Sequence, residues 1–298
     1  MQHSPTRSRF VKWAVTLREI ATSGAPIGEI NTLRKHLSAI KGGRLALAAQ
    51  PTPITTLLLS DVPGDDPSII AGGPTVADPS TAADALTIAD KYRIELPANL
   101  RHRWRHAAAS LPADAFAHCS THIVATAHTA LTAAAQAAHA MGIPALVLGD
   151  RIEGEAREVA RVLGGIALAC AATHTPLAPP CVILSGGETG VTLGAHTGRG
   201  GRNSEFLLAL SQVLAGHPQI SALACDTDGI DGMEDNAGAA IFPDTPLRAA
   251  AMAIDVAAQL ENHNSYEVFS RLGDLVVTGP TRTNANDFRA ILIDSKSE

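Results

Sequence analysis

The feature that most constrains this chain is a recurring alternation. Short apolar runs, many of them β-branched, recur at 54–59, 122–126, 145–148, 182–184, 222–225, 275–277 and 288–293. Helical patterns fall between most of them, at 25–40, 79–89, 100–110, 127–140, 153–172, 203–214 and 247–260. Short apolar strands alternating with helices predict βαβ units around a largely parallel sheet. The first helical pattern stops at Gly42-Gly43, as glycine beyond a helix end allows. Three prolines within 173–180 interrupt the rhythm and predict a linker, hence two α/β domains, 1–176 and 177–298.

Composition narrows the function classes. At 298 residues with 46% hydrophobic and 17% charged side chains, the chain can bury a sizeable core. Its 23 basic and 29 acidic residues give a net charge of -6, which disfavours a nucleic-acid or anionic-membrane surface. Cys119, Cys170, Cys181 and Cys225 show no C-x-x-C spacing and read as small apolar side chains of a reduced, cytoplasmic protein. There is no apolar run of about 18 residues, so no membrane span is expected. The basic first ten residues carry no apolar signal core.

Chemistry is expected at the strand-to-loop junctions, because open α/β sheets bind ligands beyond the carboxyl ends of their strands. Ser60-Asp61-Val62-Pro63-Gly64-Asp65-Asp66 places three carboxylates directly after an apolar run. Asp61 and Asp65 could hold Mg²⁺, or simply form a polar turn. The second junction, 185–205, combines Gly186, Gly187 and Glu188 with Gly198-Arg199-Gly200-Gly201-Arg202-Asn203 ahead of a helix. Glycines let backbone N–H groups approach a phosphate, and the helix N-terminus would favour the same anion. Arg199 and Arg202 could add bidentate positive charge, the alternative being a flexible loop with solvated arginines. In the third, 226–238, Asp228 and Asp231 read as ligands of a substrate hydroxyl or a metal-bound water, or as parts of a structural turn. The fourth, 278–284, offers Thr281, Thr283 and Asn284 around a rigid Gly-Pro turn that could grip a nucleotide or sugar hydroxyl. His36, His122, His128, His196 and His263 have no metal-ligand spacing, and no nucleotide P-loop or dinucleotide fingerprint is present.

Six segments carry a more specific signal in combination. They are SGAPIGEINTLRKHLSAIKGGRLA (23–46), LLLSDVPGDDPSIIAGGPTVADPST (57–81), EGEAREVA (153–160), LSGGETGVTLGAHTGRGGRNSEFLLAL (184–210), DTDGIDGMEDNAGA (226–239) and GDLVVTGPTRTNANDF (273–288). In this order the chain resembles the MOFRL family of glycerate 2-kinases. The resemblance implies a cytoplasmic enzyme that phosphorylates D-glycerate to 2-phosphoglycerate with ATP and Mg²⁺, and that could be a homo-oligomer. It implies an incomplete Rossmann-like N-terminal domain followed by a C-terminal α/β MOFRL domain, with the active site in the cleft between them. Asp61 would lie nearest the transferred phosphoryl group or its metal, with Asp65 as a second metal ligand. Arg202 would bind the substrate carboxylate or stabilise transition-state charge, oriented by Glu188 and Glu205. Gly186, Gly187, Gly200, Gly201, Asn203, Asp228, Asp231, Thr281, Thr283 and Asn284 would surround nucleotide or substrate, and Asn31, Arg34 and Lys41 could face the cleft.

The chain departs from the family pattern at Gly72 or Gly73, Gly190, Ser204, Arg282 and Ala285. Arg282 stands where the family tends to have glycine in a tight turn. Family members also run longer at the N-terminus, where a Gly-Lys-Ala segment is thought to supply an active-site lysine. Without it the N-terminal sheet is expected to expose an edge. An inactive family remnant and a partner-dependent binding subunit therefore stand as alternatives to an active kinase; a hydroxypyruvate reductase finds little support in the residues.

Overall fold

The computed structural model describes residues 19–20, 22–62, 64–107, 113–194 and 198–295. The basic first ten residues, Lys12 and His196 lie outside them, as do the last three residues of the helix expected over 100–110. The chain divides into two compact units, Met1–Leu58 with Gly64–Val124, and Leu59–Pro63 with Ala125–Glu298.

In the first unit, α1 (Ile27–Leu37), α2 (Arg44–Ala49), α3 (Ala82–Lys91) and α4 (Ala98–Arg105) accompany a two-stranded sheet of β1 (Ile54–Ser60) and β2 (Cys119–Thr126). Helix α3 starts where a capping box fixes it: the Thr81 hydroxyl accepts the Asp84 N–H, and the Asp84 carboxylate accepts the Thr81 N–H. Leu33 and Leu37 of α1 pack on Ala82, Ala85 and Ala89 of α3, with Leu100 and Trp104 of α4 closing this core. Lys35, nearly buried, is neutralised by Asp78 at 2.7 Å, and Lys41 donates to the Ala71 carbonyl at 2.6 Å. Arg34 is exposed and Asn31 half-buried. Leu57, Ile123 and Val124 of the small sheet stay exposed.

The second unit carries the larger core. Its elements are α5 (Ala127–Ala140), β3 (Ala145–Val147), β4 (Gly154–Glu155), α6 (Ala156–Thr173), β5 (Cys181–Gly187), β6 (Thr189–Gly190), α7 (Arg202–Leu214), β7 (Ile220–Asp226), β8 (Gly238–Ile241), α8 (Thr245–Ala251), α9 (Val256–Glu261), α10 (Ser265–Leu272), β9 (Leu275–Val276) and β10 (Asp287–Ile293). Six strands form one sheet in the order β3-β5-β10-β7-β8-β9, and β4 pairs separately with β6. The sheet is mixed rather than largely parallel. Within this six-stranded sheet, among the described residues, only β3 and β5 pair in parallel; β10 enters antiparallel between β5 and β7, and β8 and β9 add antiparallel edges. The crossover β5–α7–β7 skips one strand position, and β10 fills it.

The boundary expected near residue 176 coincides with no edge of either unit. Helix α6, before the prolines, and strand β5, after them, share one core with α7: Leu163, Ala167 and Cys170 meet Cys181, Ile183, Leu207 and Leu210. The prolines turn the chain within a unit instead of separating two. On the opposite face, Leu131 of α5 packs on Val182 and Leu184, with Phe288, Ala290 and Leu292 of β10 beside them. The helix expected over 247–260 is two helices, because Ala253 adopts positive φ and the Asp255 carboxylate caps a new start at Ala258 N–H. Helix α10 is an additional element.

Candidate functional site

Strand alternation aims the side chains of β10 to opposite faces. Asp287, Arg289, Ile291 and Ile293 are buried, while Phe288, Ala290 and Leu292 point toward α5. Because β10 is antiparallel to both neighbours, its first residue pairs with Gly187 at the end of β5 and Asp226 at the end of β7. Two carboxylates and the Glu188 loop therefore meet at one end of the sheet, and α7 begins there with Arg202.

Arg202 is the hub. Its Nε donates to Asp287 Oδ1 at 2.8 Å, one terminal nitrogen to Glu188 Oε1 at 2.8 Å and the other to Asp226 Oδ2 at 2.7 Å. Its side chain remains 25% exposed, and Glu188 is 57% exposed, whereas Asp226 and Asp287 are buried. A guanidinium fixed on three edges is preorganised for a planar oxyanion, and its least buried partner is the one most readily displaced. Asp287 and Asp226 raise the Arg202 pKa despite its burial. Burial pushes the Asp226 carboxyl up to about 6, against the lowering pull of the Asp228 N–H and Arg202.

Other expected site residues serve the architecture. Asp231 is 1% exposed and accepts the Asn203 and Ser204 N–H groups and the Ser204 hydroxyl at 2.9, 2.8 and 2.7 Å. Its carboxylate thus occupies the positive N-terminus of α7, the place expected to receive a substrate phosphate. Gly201 is required by that cap, since a Cβ there would collide with Asp231. Gly187 has φ +104, and a Cβ on it would strike the Ile152 backbone. Gly186 lies against the Asp287 carbonyl, and Gly200 against Ser265. These four glycines allow close packing within the chain itself. Asn203 is fully buried, donating to Asp287 at 2.8 Å.

Glu205 does not orient Arg202. It is buried and pairs with Arg157 at 2.7 Å and His263 at 3.1 Å. Arg199 is held bidentately by Glu234 and lies 4.3 Å over the Tyr266 ring. The third and fourth loops are fastened to each other: Thr281 N–H donates to the Asp228 carbonyl at 2.9 Å, and its hydroxyl to the Thr227 carbonyl at 2.6 Å. Thr283 and Asn284 are exposed, the Asn284 side chain accepting the Asn286 N–H at 2.9 Å. Asn286 in turn donates to the Asp61 carbonyl at 2.7 Å, tying Asp61 to the loop before β10. The structure therefore groups Arg202, Glu188, Asp226 and Asp287 directly, and links Asp61, Asp228, Thr281 and Asn284 to them through loop contacts. Asp65 belongs to the other unit.

Asp226, Asn286, Asp287 and Arg289 went unselected from the sequence. Their signal was available in one respect: charges at 287 and 289 occupy the same strand face as Ile291 and Ile293, a costly place for ions without a purpose.

Comparison with known proteins agrees with the six-motif reading. Residues 10–105 match the Domain of unknown function (DUF4147) and residues 181–287 match the MOFRL family. An Agrobacterium vitis protein provisionally named hydroxypyruvate reductase is 49% identical over 284 residues, covering 93% of this chain and 72% of that one. The glycerate 2-kinase of Pyrococcus horikoshii is 37% identical over 282 residues, covering 92% of this chain and 63% of the kinase. The crystal structure of Thermotoga maritima glycerate kinase superposes with a TM-score of 0.86 at 35% identity, covering 93% of this chain and 66% of that one. The chain thus spans roughly two thirds of the length of its relatives. With its two domain matches in order and its fold shared throughout the aligned region, the chain belongs to the MOFRL family of glycerate 2-kinases.

Proposed function

We propose that this chain carries out phosphoryl transfer from ATP to the 2-hydroxyl of D-glycerate. The observation that carries the reading is Arg202, fixed by Asp226 and Asp287 yet reachable past the exposed Glu188. Glycerate offers a planar carboxylate next to the hydroxyl to be phosphorylated. Arg202 would take that carboxylate bidentately in place of Glu188, orienting the substrate without a new buried charge. Asp61 would lie nearest the transferred phosphoryl group or its metal, and Asp228, Thr281, Thr283 and Asn284 would contact nucleotide or substrate hydroxyls.

Asp61 would be the protein ligand of Mg²⁺. Mg²⁺ takes one or two carboxylates and completes its shell with water and phosphate oxygens, so a protein cage of three ligands is unnecessary. No group of three or more His, Cys, Asp or Glu residues is placed to hold a metal among the described residues. When bound, the ion would neutralise charge on the transferring phosphates. Among the described residues no helix is long and apolar enough to cross a membrane. A cytoplasmic setting, where ATP is supplied and the free thiols of Cys119, Cys170, Cys181 and Cys225 stay reduced, completes the reading.

A coupled ADP-release assay with D-glycerate and Mg-ATP tests it, with phosphorus NMR to identify 2-phosphoglycerate. ADP release that requires glycerate and stops with EDTA is expected. Absence of turnover together with measurable ATP binding would remove the activity while leaving family membership intact. NADH oxidation with hydroxypyruvate in place of kinase turnover would favour the reductase name carried by the Agrobacterium relative.

A further inference from the structure

We propose that Arg289 is a positioning residue, which clamps Asp287 from beneath the site and thereby fixes Arg202 in the orientation that receives an anion. The proposal rests on the glycerate kinase reading for its substrate, but the clamp itself can be measured without turnover.

Arg289 is the largest fully buried side chain described, at 0% exposure. Its strand-face companions are Ile291 and Ile293, and an aliphatic side chain would satisfy the fold at lower cost than a buried guanidinium. One terminal nitrogen donates to Asp287 Oδ2 at 2.6 Å and to the Thr189 hydroxyl at 3.0 Å; the other donates to the Gly186 carbonyl at 3.2 Å. The guanidinium carbon lies 5.4 Å from the centre of the Phe206 ring, one helical turn beyond Arg202. Asp287 is the only carboxylate in an ion pair with it among the described residues.

Both oxygens of Asp287 are consequently saturated. Oδ2 accepts from Arg289 and the Thr189 N–H, while Oδ1 accepts from Arg202 Nε and the Asn203 amide. A carboxylate held by four donors cannot rotate, and so the Nε edge of Arg202 cannot rotate either. Charge balance points the same way. Arg202 faces Glu188, Asp226 and Asp287, three carboxylates against one cation. Arg289 offsets Asp287 from the protein side, which leaves more of the Arg202 charge available to an incoming carboxylate.

The test uses Arg289→Met, Arg289→Lys, Asp287→Asn and the double variant Arg289→Met with Asp287→Asn, all in the full chain. Two readouts are taken: KM for D-glycerate against kcat, and hydrogen exchange of the Arg202 Nε–H by ¹⁵N NMR, assigned through Arg202→Lys. Removing one member of a buried pair is expected to raise the glycerate KM about tenfold or more and to speed Nε–H exchange by a similar factor. Arg289→Lys should recover part of both effects. The double variant should recover more than Arg289→Met, because the buried charge leaves with its partner while the Asn oxygen still accepts from Arg202. Should Arg289→Met fail to fold, Arg289→Lys and the double variant decide the matter. A folded Arg289→Met with unchanged KM and unchanged exchange overturns the proposal, as does a double variant no better than the single one. If the wild-type protein phosphorylates no glycerate, the kinase reading falls, and the exchange measurement alone decides the clamp.

Discussion

Replacing Asp226 by Asn isolates the strain that the Arg202 cluster imposes on the fold. Asp226 is 6% exposed, and burial raises its carboxyl from 3.8 to about 6. The folded protein therefore holds this proton more tightly than the unfolded chain does. The associated stability is complete below about pH 4 and is lost as pH rises through about 6, a total of about 3 kcal/mol. An asparagine cannot ionise, so the variant escapes that loss. As a carboxylate Asp226 accepts on both sides: the Asp228 N–H at 3.0 Å on one oxygen, and Arg202 at 2.7 Å on the other. A protonated carboxyl and an amide each present one full acceptor oxygen, so the variant matches the protonated wild type in hydrogen bonding. The variant should then be about as stable as wild type below about pH 4, and about 3 kcal/mol more stable above about pH 6. Urea unfolding of both proteins across this range measures the difference. Two stability curves that coincide below about pH 4 and separate between about pH 4 and 6 are the expected result. Parallel curves would refute the reasoning, since they would mean that Asp226 carries no burial cost in the native state.

Arg202→Ala should lower kcat/KM for glycerate about 100-fold or more without unfolding the protein, as the steady-state assay and circular dichroism would show. Asp231→Ala should cost about 3 kcal/mol in chemical denaturation, because it strands two buried N–H groups and a hydroxyl at the start of α7. Arg282 has φ +62, the region glycine favours, so Arg282→Gly should raise stability by up to about 1 kcal/mol; a lower melting temperature would contradict this. Glu205→Gln should weaken the fold through Arg157 and His263 while leaving the glycerate KM near wild type, which separates it from the Arg202 cluster.

The sequence by itself determined the elements and the family. Periodicity located most strands and helices, because a residue pattern with period two or about 3.6 is a local property. Six motifs in order identified the MOFRL family, and the Arg202 junction stood out by its glycines and charge. The tertiary structure alone decided which strands become neighbours. β10 arrives from the far end of the chain to lie antiparallel between β5 and β7, and no local pattern encodes that insertion. It brings Asp287 and Arg289 beneath Arg202 and converts a loop arginine into a fixed group. Tertiary structure also reassigned the glycine loop. The N-terminus of α7, open to a phosphate when read along the chain, is filled by Asp231 from a loop 28 residues away from Asn203. Helix termini attract any anion within reach, and only the folded chain determines whether that anion is a ligand or its own carboxylate.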